Sequence, residues 1–257
     1  MKKTLIALAV AASAAVSGSA MAWTANGTGG SVELSGTLTP VEKVTPWEVK
    51  VGDAVTGLDA QIQKGQKVVN VAVNKAIPVL GIRNADENGF KGQKGIKPQI
   101  DYKGAVNIDG FKNGVTTVSM EVRGESGDKI GSLEAPFSAA AIASWSGEYT
   151  GSQAVYASES NTGFYGGLGK NSSAIRAFGS FELITALSSE FIEKWKQQGE
   201  WQGEGNELFE GLTATYFSAY GSGIEKGQTI KITLDQAASG DAPIKWNAAL
   251  PVTVTYM

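Results

Sequence analysis

The chain has 257 residues, 22 Lys and Arg against 25 Asp and Glu, a hydrophobic share of 42%, and neither cysteine nor histidine. Without those two residue types, disulfides, the usual zinc, iron and copper ligand sets, and Ser-His or Cys-His nucleophile pairs are excluded. The slight acidic excess, with no Lys/Arg cluster able to follow a phosphate backbone, argues against nucleic acid as a partner.

Residues 1–22 read as a secretory signal: Lys2 and Lys3, an apolar run from Leu5 to Val16, then Ala20-Met21-Ala22 as a small-x-small cleavage site before Trp23. That run is too short for a membrane span, and no other stretch approaches the roughly 20 apolar residues a spanning helix needs. The remaining chain, about 235 residues, is therefore expected to be exported and soluble, and long enough to fold by core burial alone. After the glycine-rich stretch 26–30, Val32, Leu34, Gly36 and Leu38 point one way at period two. A glycine in such a row weakens an ordinary strand unless another backbone must approach closely.

Further along, 33 glycines, 18% charged residues and short alternating runs predict an all-β domain. Strands are expected at 47–51, 69–73, 118–122, 133–139, 230–234 and 250–256, separated by turn pairs Asn88-Gly89, Asp109-Gly110 and Asn113-Gly114. Spacing and turns favour a β-sandwich. Alternation fades over about 138–211, read as an insert. Within it, 180–198 carries a helical stripe of Phe181, Ile184, Leu187, Phe191 and Trp195, with Ser180 as N-cap, Gly199 as terminator and Glu190–Lys194 as an i,i+4 pair. Trp145, Tyr149, Tyr156, Tyr165 and Trp201 stand in polar, glycine-rich surroundings, where flat rings could stack on sugars. The final strand runs through Leu250, Val252, Val254 and Tyr256 to Met257, a form suited to capture by β-augmentation.

The row in Gly30-Ser31-Val32-Glu33-Leu34-Ser35-Gly36-Thr37-Leu38 resembles the donor extension of chaperone-usher pilus subunits, and Tyr256 before Met257 resembles the penultimate aromatic of their last strand. Trp47-Glu48-x-Lys50-Val51-Gly52, Pro98-Gln99-Ile100, Phe164-Tyr165-Gly166-Gly167-Leu168, Gly227-Gln228-Thr229-Ile230 and Trp246 are similar to the Fae-type fimbrial proteins of enterotoxigenic Escherichia coli. The resemblance implies an all-β, incomplete immunoglobulin-like sandwich of the pilin type with a helix-containing insertion. It divides the chain into signal 1–22, donor extension 23–39 and pilin domain 40–257.

The implied function is that of a structural, minor fimbrial subunit polymerised by donor-strand exchange and carried through the periplasm to the cell surface. The implied partners are neighbouring subunits through Val32, Leu34, Gly36 and Leu38, a periplasmic chaperone through Leu250, Val252, Val254, Tyr256 and Met257, and an outer-membrane usher. No cofactor, metal or catalytic residue is expected. Two alternatives stand beside this reading: an adhesin binding host glycans through the insert, and an exported enzyme acting on polysaccharide, which would need two carboxylates about 5 to 9.5 Å apart in an open cleft.

Overall fold

A computed structural model describes residues 25–28, 31–39 and 44–257. The predicted signal, 1–22, lies outside these residues. The chain divides into two units, Met1–Lys43 and Val44–Met257. The second contains β1 (Trp47–Val51), β2 (Val68–Ala72), β3 (Ile77–Asn84), β4 (Phe90–Lys91), β5 (Pro98–Asp101), β6 (Val115–Arg123), β7 (Lys129–Ser146) and β8 (Thr150–Val155). After helix α1 (Ser180–Leu187) come β9 (Trp201–Gly205), β10 (Thr215–Ile224), β11 (Thr229–Leu234) and β12 (Thr253–Tyr256). The main sheet runs β1-β3-β10-β7-β11-β2, with β4 on β10, β6 and β8 on β7, and β9 on β8; β12 and β5 form a second, two-stranded sheet. All pairs are antiparallel except β8 with β9. The architecture is an all-β pilin-like fold with a helical insertion.

The 18-residue strand β7 organises the domain. Its first half alternates between core and solvent and pairs with β6 and β11. Its second half pairs with β10 and β8 and is buried on both faces: Ala139, Ala141 and Ala143 face the main core, whereas Ala140 and Ile142 face the helix. Alternation therefore fades past residue 138 because the strand gains a cover on its outer face, while the strand itself continues to Ser146. The same double burial hid β10 and β3 from the sequence reading. An aromatic cluster in the main core gathers around Trp47, whose ring meets Phe90, Phe164 and Phe209 at 4.7, 5.8 and 5.1 Å between centroids. Its indole N–H donates to the Ile96 carbonyl at 2.6 Å.

Helix α1 lies on a floor without bulk. A Cβ on Gly81 would fall 2.2 Å from the Phe191 ring, and one on Gly221 would fall 3.0 Å from Ile184. Gly81 and Gly221 are register partners on β3 and β10, so the two strands present a paired gap into which the insertion settles.

The helix is shorter than the stripe predicts. It ends at Leu187, Ser188 turns extended (φ −162°, ψ 126°), and a 3-10 turn at Ser189–Ile192 follows. Ser180 is not the N-cap: Gly179, at φ 100°, holds that position, and the Ser180 hydroxyl donates back to the Arg176 carbonyl. Leu183 and Ile192 are buried with Ile184, Leu187 and Phe191, whereas Phe181 is partly exposed against Trp195. Gly199 (φ 63°) precedes β9 instead of closing a helix.

Glu190 and Lys194 do not pair with each other. Glu190 meets Lys50 of β1, and Lys194 meets Glu48 at 2.8 Å, which also takes Arg83 at 2.9 Å; Arg83 in turn meets Glu193 at 2.9 Å. Breaking the helix at Ser188 turns these charges toward the sheet edge, where they clamp the insertion to β1 and β3.

Of the turn pairs, Asn113 and Gly114 (φ 49° and 76°) close a tight hairpin between Lys112 and Val115, and Gly89 is left-handed (φ 78°). Gly110 instead ends a 3-10 turn whose cap, Asn107, accepts its N–H at 3.1 Å. The last strand starts at Thr253, not Leu250, because its partner β5 turns away at Lys103-Gly104 (φ 54° and 79°) and Pro251 has no N–H to offer.

Gly81→Val is expected to force Phe191 off its seat and lower stability by about 1–3 kcal/mol in urea unfolding, with part of the loss recovered by adding Phe191→Ala. The bonds from Lys194 and Arg83 hold the Glu48 carboxyl below its ordinary value of 4.5. The stability it contributes is therefore present above pH 4.5 and lost as pH falls through its lowered folded value. Because Glu48 is near the surface, Glu48→Gln should cost roughly 1 kcal/mol or less at pH 7 and shallow the fall in unfolding midpoint between about pH 5 and 3.

Candidate functional site

Antiparallel pairing makes alternate residues turn their N–H and C=O to opposite edges. Along the C-terminal segment the fold is engaged at odd positions: Asn247 exchanges both main-chain bonds with Arg123 of β6 at 2.9 Å, and Met257 exchanges both with Lys97 at 3.0 and 3.1 Å. Thr255 and Thr253 stand opposite Gln99 and Asp101 of β5 between them. Residues 246, 248, 250, 252 and 254 consequently aim their peptide groups at the other edge, along which no strand lies among the described residues.

The same even positions carry the apolar side chains. Trp246, Ala248, Leu250, Val252, Val254 and Tyr256 are each half-buried and packed on the main core, while the odd residues between them are exposed. A strand inside a closed sandwich would bury such a row. Here Trp246, Ala248 and Leu250 of the row form part of the rim of a groove of about 1180 Å³.

Its floor comes from Val69 and Val71 of β2, Val118 and Met120 of β6, Leu133 and Phe137 of β7, and Ile230 and Ile232 of β11. One wall is residues 51–64, with Leu58 and Ile62 half-buried; the other is residues 238–248 and Leu250. The walls meet at one end, where Gly65 N–H donates to the Ala238 carbonyl and Ala238 N–H to that of Gln66, both at 2.8 Å. Lys64 pairs with Asp241 beside them at 2.5 Å.

Of the C-terminal residues predicted to meet a partner, Leu250 lines this groove, and Val252, Val254 and Tyr256 continue its row along β12. Met257 is 55% exposed at the strand end. The floor and the 51–64 wall were missed from sequence: the floor strands were recognised as alternating, but nothing local says which of their faces is left open.

In the first unit, residues 31–39 form no strand. Val32, Leu34 and Leu38 are 77%, 93% and 96% exposed, and a side chain at Gly36 would meet nothing within 4 Å. An apolar row thus stands in solvent on a chain whose other unit has an empty apolar groove.

The five candidate sugar-stacking aromatics are not gathered. Trp145 stands opposite Gly151, and Trp201 opposite Ser152, so the two rings leave opposite faces of the β7–β8–β9 sheet; one packs on the main core and the other on the helix cluster. Tyr149 is 75% exposed at the turn before β8, Tyr156 is half-buried just after it, and Tyr165 is half-buried where its carbonyl accepts Ile100 N–H at 2.8 Å. Neighbouring Phe164 is fully buried, stacked 5.5 Å from Tyr220.

Among the described residues no helix is long and apolar enough to cross a membrane. No group of three or more acidic residues is placed to hold a metal ion among them.

The family model described as "Fimbrial, major and minor subunit" matches residues 1–257. K88 fimbrial proteins AB and AC of Escherichia coli are 33% and 31% identical, and the F41 fimbrial protein of Escherichia coli 29%, each over the full length of both chains. The alignment to the AC protein extends over 288 positions, so that relative carries residues this 257-residue chain lacks. This is a family of structural fimbrial subunits and not of enzymes, which removes the polysaccharide-acting alternative; the chain belongs to the family of fimbrial major and minor subunits.

Proposed function

We propose that this subunit, a minor component of its fimbria, polymerises by donor-strand exchange: Val32, Leu34, Gly36 and Leu38 of one copy enter the groove of the next. The observation that carries this reading is the pairing of a solvent-exposed apolar row with an open groove whose C-terminal rim presents peptide groups to a missing neighbour. Moving three large side chains from water into the groove contributes roughly 1.5–3 kcal/mol each, about 5–9 together. That is comparable with the whole stability of a typical domain, roughly 5–15 kcal/mol. The contact runs head to tail and does not close on itself, so it propagates into a fibre.

Before assembly the open edge is a hazard for indiscriminate strand pairing. In this proposal a periplasmic chaperone lends a strand along Leu250, Val252, Val254 and Tyr256 and anchors the carboxylate of Met257. The outer-membrane usher then exchanges that strand for another subunit's extension, and the fibre emerges at the cell surface. The exposure of Met257 supports such an anchor.

The test uses the chain with Gly36→Arg in its own extension, a change that leaves the folded domain alone because nothing surrounds Gly36. This variant is expected to fold and to fail to form fibres. Its thermal midpoint should rise by 10 °C or more on adding a peptide of residues 27–40, and not with the same peptide carrying Gly36→Arg; about 1 kcal/mol corresponds to some 2–4 °C for a domain of this size. A domain already stable and indifferent to the peptide would overturn the proposal.

A further inference from the structure

Resting on donor-strand exchange as the use of the groove, we infer that Trp246 is the groove residue that selects glycine at position 36 of the incoming strand. The lining contains two aromatic residues, Phe137 and Trp246. Phe137 is fully buried in the floor, with its ring 5.3 Å from that of Tyr102. Trp246 is half-buried on the rim, packed on the main core and lining the groove that an incoming strand would enter. Asn247 commits its own peptide groups to β6, which turns those of Trp246 toward the open edge. A strand paired there lies beside the indole on the same face.

The donor row has one position without a side chain, Gly36, and the groove-lining part of the rim has one aromatic, Trp246. Seating Gly36 across from Trp246 lets the ring cover bare backbone, an aromatic–glycine pairing that recurs between strands. With that register Leu34 and Leu38, two residues to either side, fall beside Ile244 and Ala248. Ala248 leaves depth for a leucine, and Ile244, 41% exposed in the free groove, gains cover. Shifting the row by two residues either way places Leu34 or Leu38 against the indole. The pair therefore sets the register as well as the fit.

The experiment is a double-mutant cycle on the full chain carrying Gly36→Arg in its own extension. Groove variants Trp246→Ala and, to guard against misfolding, Trp246→Leu are titrated with peptide 27–40, either unaltered or carrying Gly36→Val. On the wild-type groove the Gly36→Val peptide is expected to bind about 10- to 100-fold more weakly than the unaltered one, the range for overpacking. On Trp246→Ala or Trp246→Leu that penalty should shrink at least tenfold, while the unaltered peptide weakens. An equal penalty on all three grooves would place the glycine elsewhere and overturn the inference while leaving strand exchange intact. Failure of the unaltered peptide to bind the wild-type groove would instead overturn the proposed function on which it rests.

Discussion

The fold depends on a strand that has a neighbour on one side only. Asn247 bonds to β6, Thr253 and Thr255 stand opposite β5 and Met257 bonds to Lys97, while residues 246, 248, 250, 252 and 254 face the other edge over an apolar row. Half-buried valine and leucine side chains on an open edge are a poor end state for an isolated domain. The groove is thus less a pocket than the place of an absent strand: its floor is contributed by four strands of the main sheet, and its two walls converge where Gly65 and Ala238 bond.

A second constraint follows from the glycine pair under the insertion. Gly81 and Gly221 allow α1 and the following turn to sit close enough to bury Leu183, Ile184, Leu187 and Phe191, with a band of ion pairs at the margin. The insertion therefore covers the face of the sheet opposite the main core, and the domain has two hydrophobic clusters separated by one layer of strands. Small residues in β7 and β10 serve this layer, where bulk on both faces would not fit.

Much of this was legible in the sequence. β1 was read with its observed bounds, and strands with one solvated face were found because period-two alternation survives where water covers one side. The alternation of the C-terminal row was legible for the same reason. What escaped was set by tertiary cover. β3 and β10 lost their alternation to double burial, the helix lost its second half because Ser188 turned its charges toward β1, and the open face of the floor strands became visible only once the main sheet and its flanking walls were assembled. The aromatic residues of the insert looked alike in sequence, yet register sent Trp145 and Trp201 to opposite faces.

The length of β7 has a mechanical meaning. Leu133 and Phe137 on its first half form groove floor, and Ala140 and Ile142 on its second half form the seat of the helix. One continuous backbone thus joins the place where a neighbour would be gripped to the face that displays the insertion. A force applied along β7 itself would load the ladders on its two sides in shear, and therefore together, so the strand would resist as one unit and not peel bond by bond.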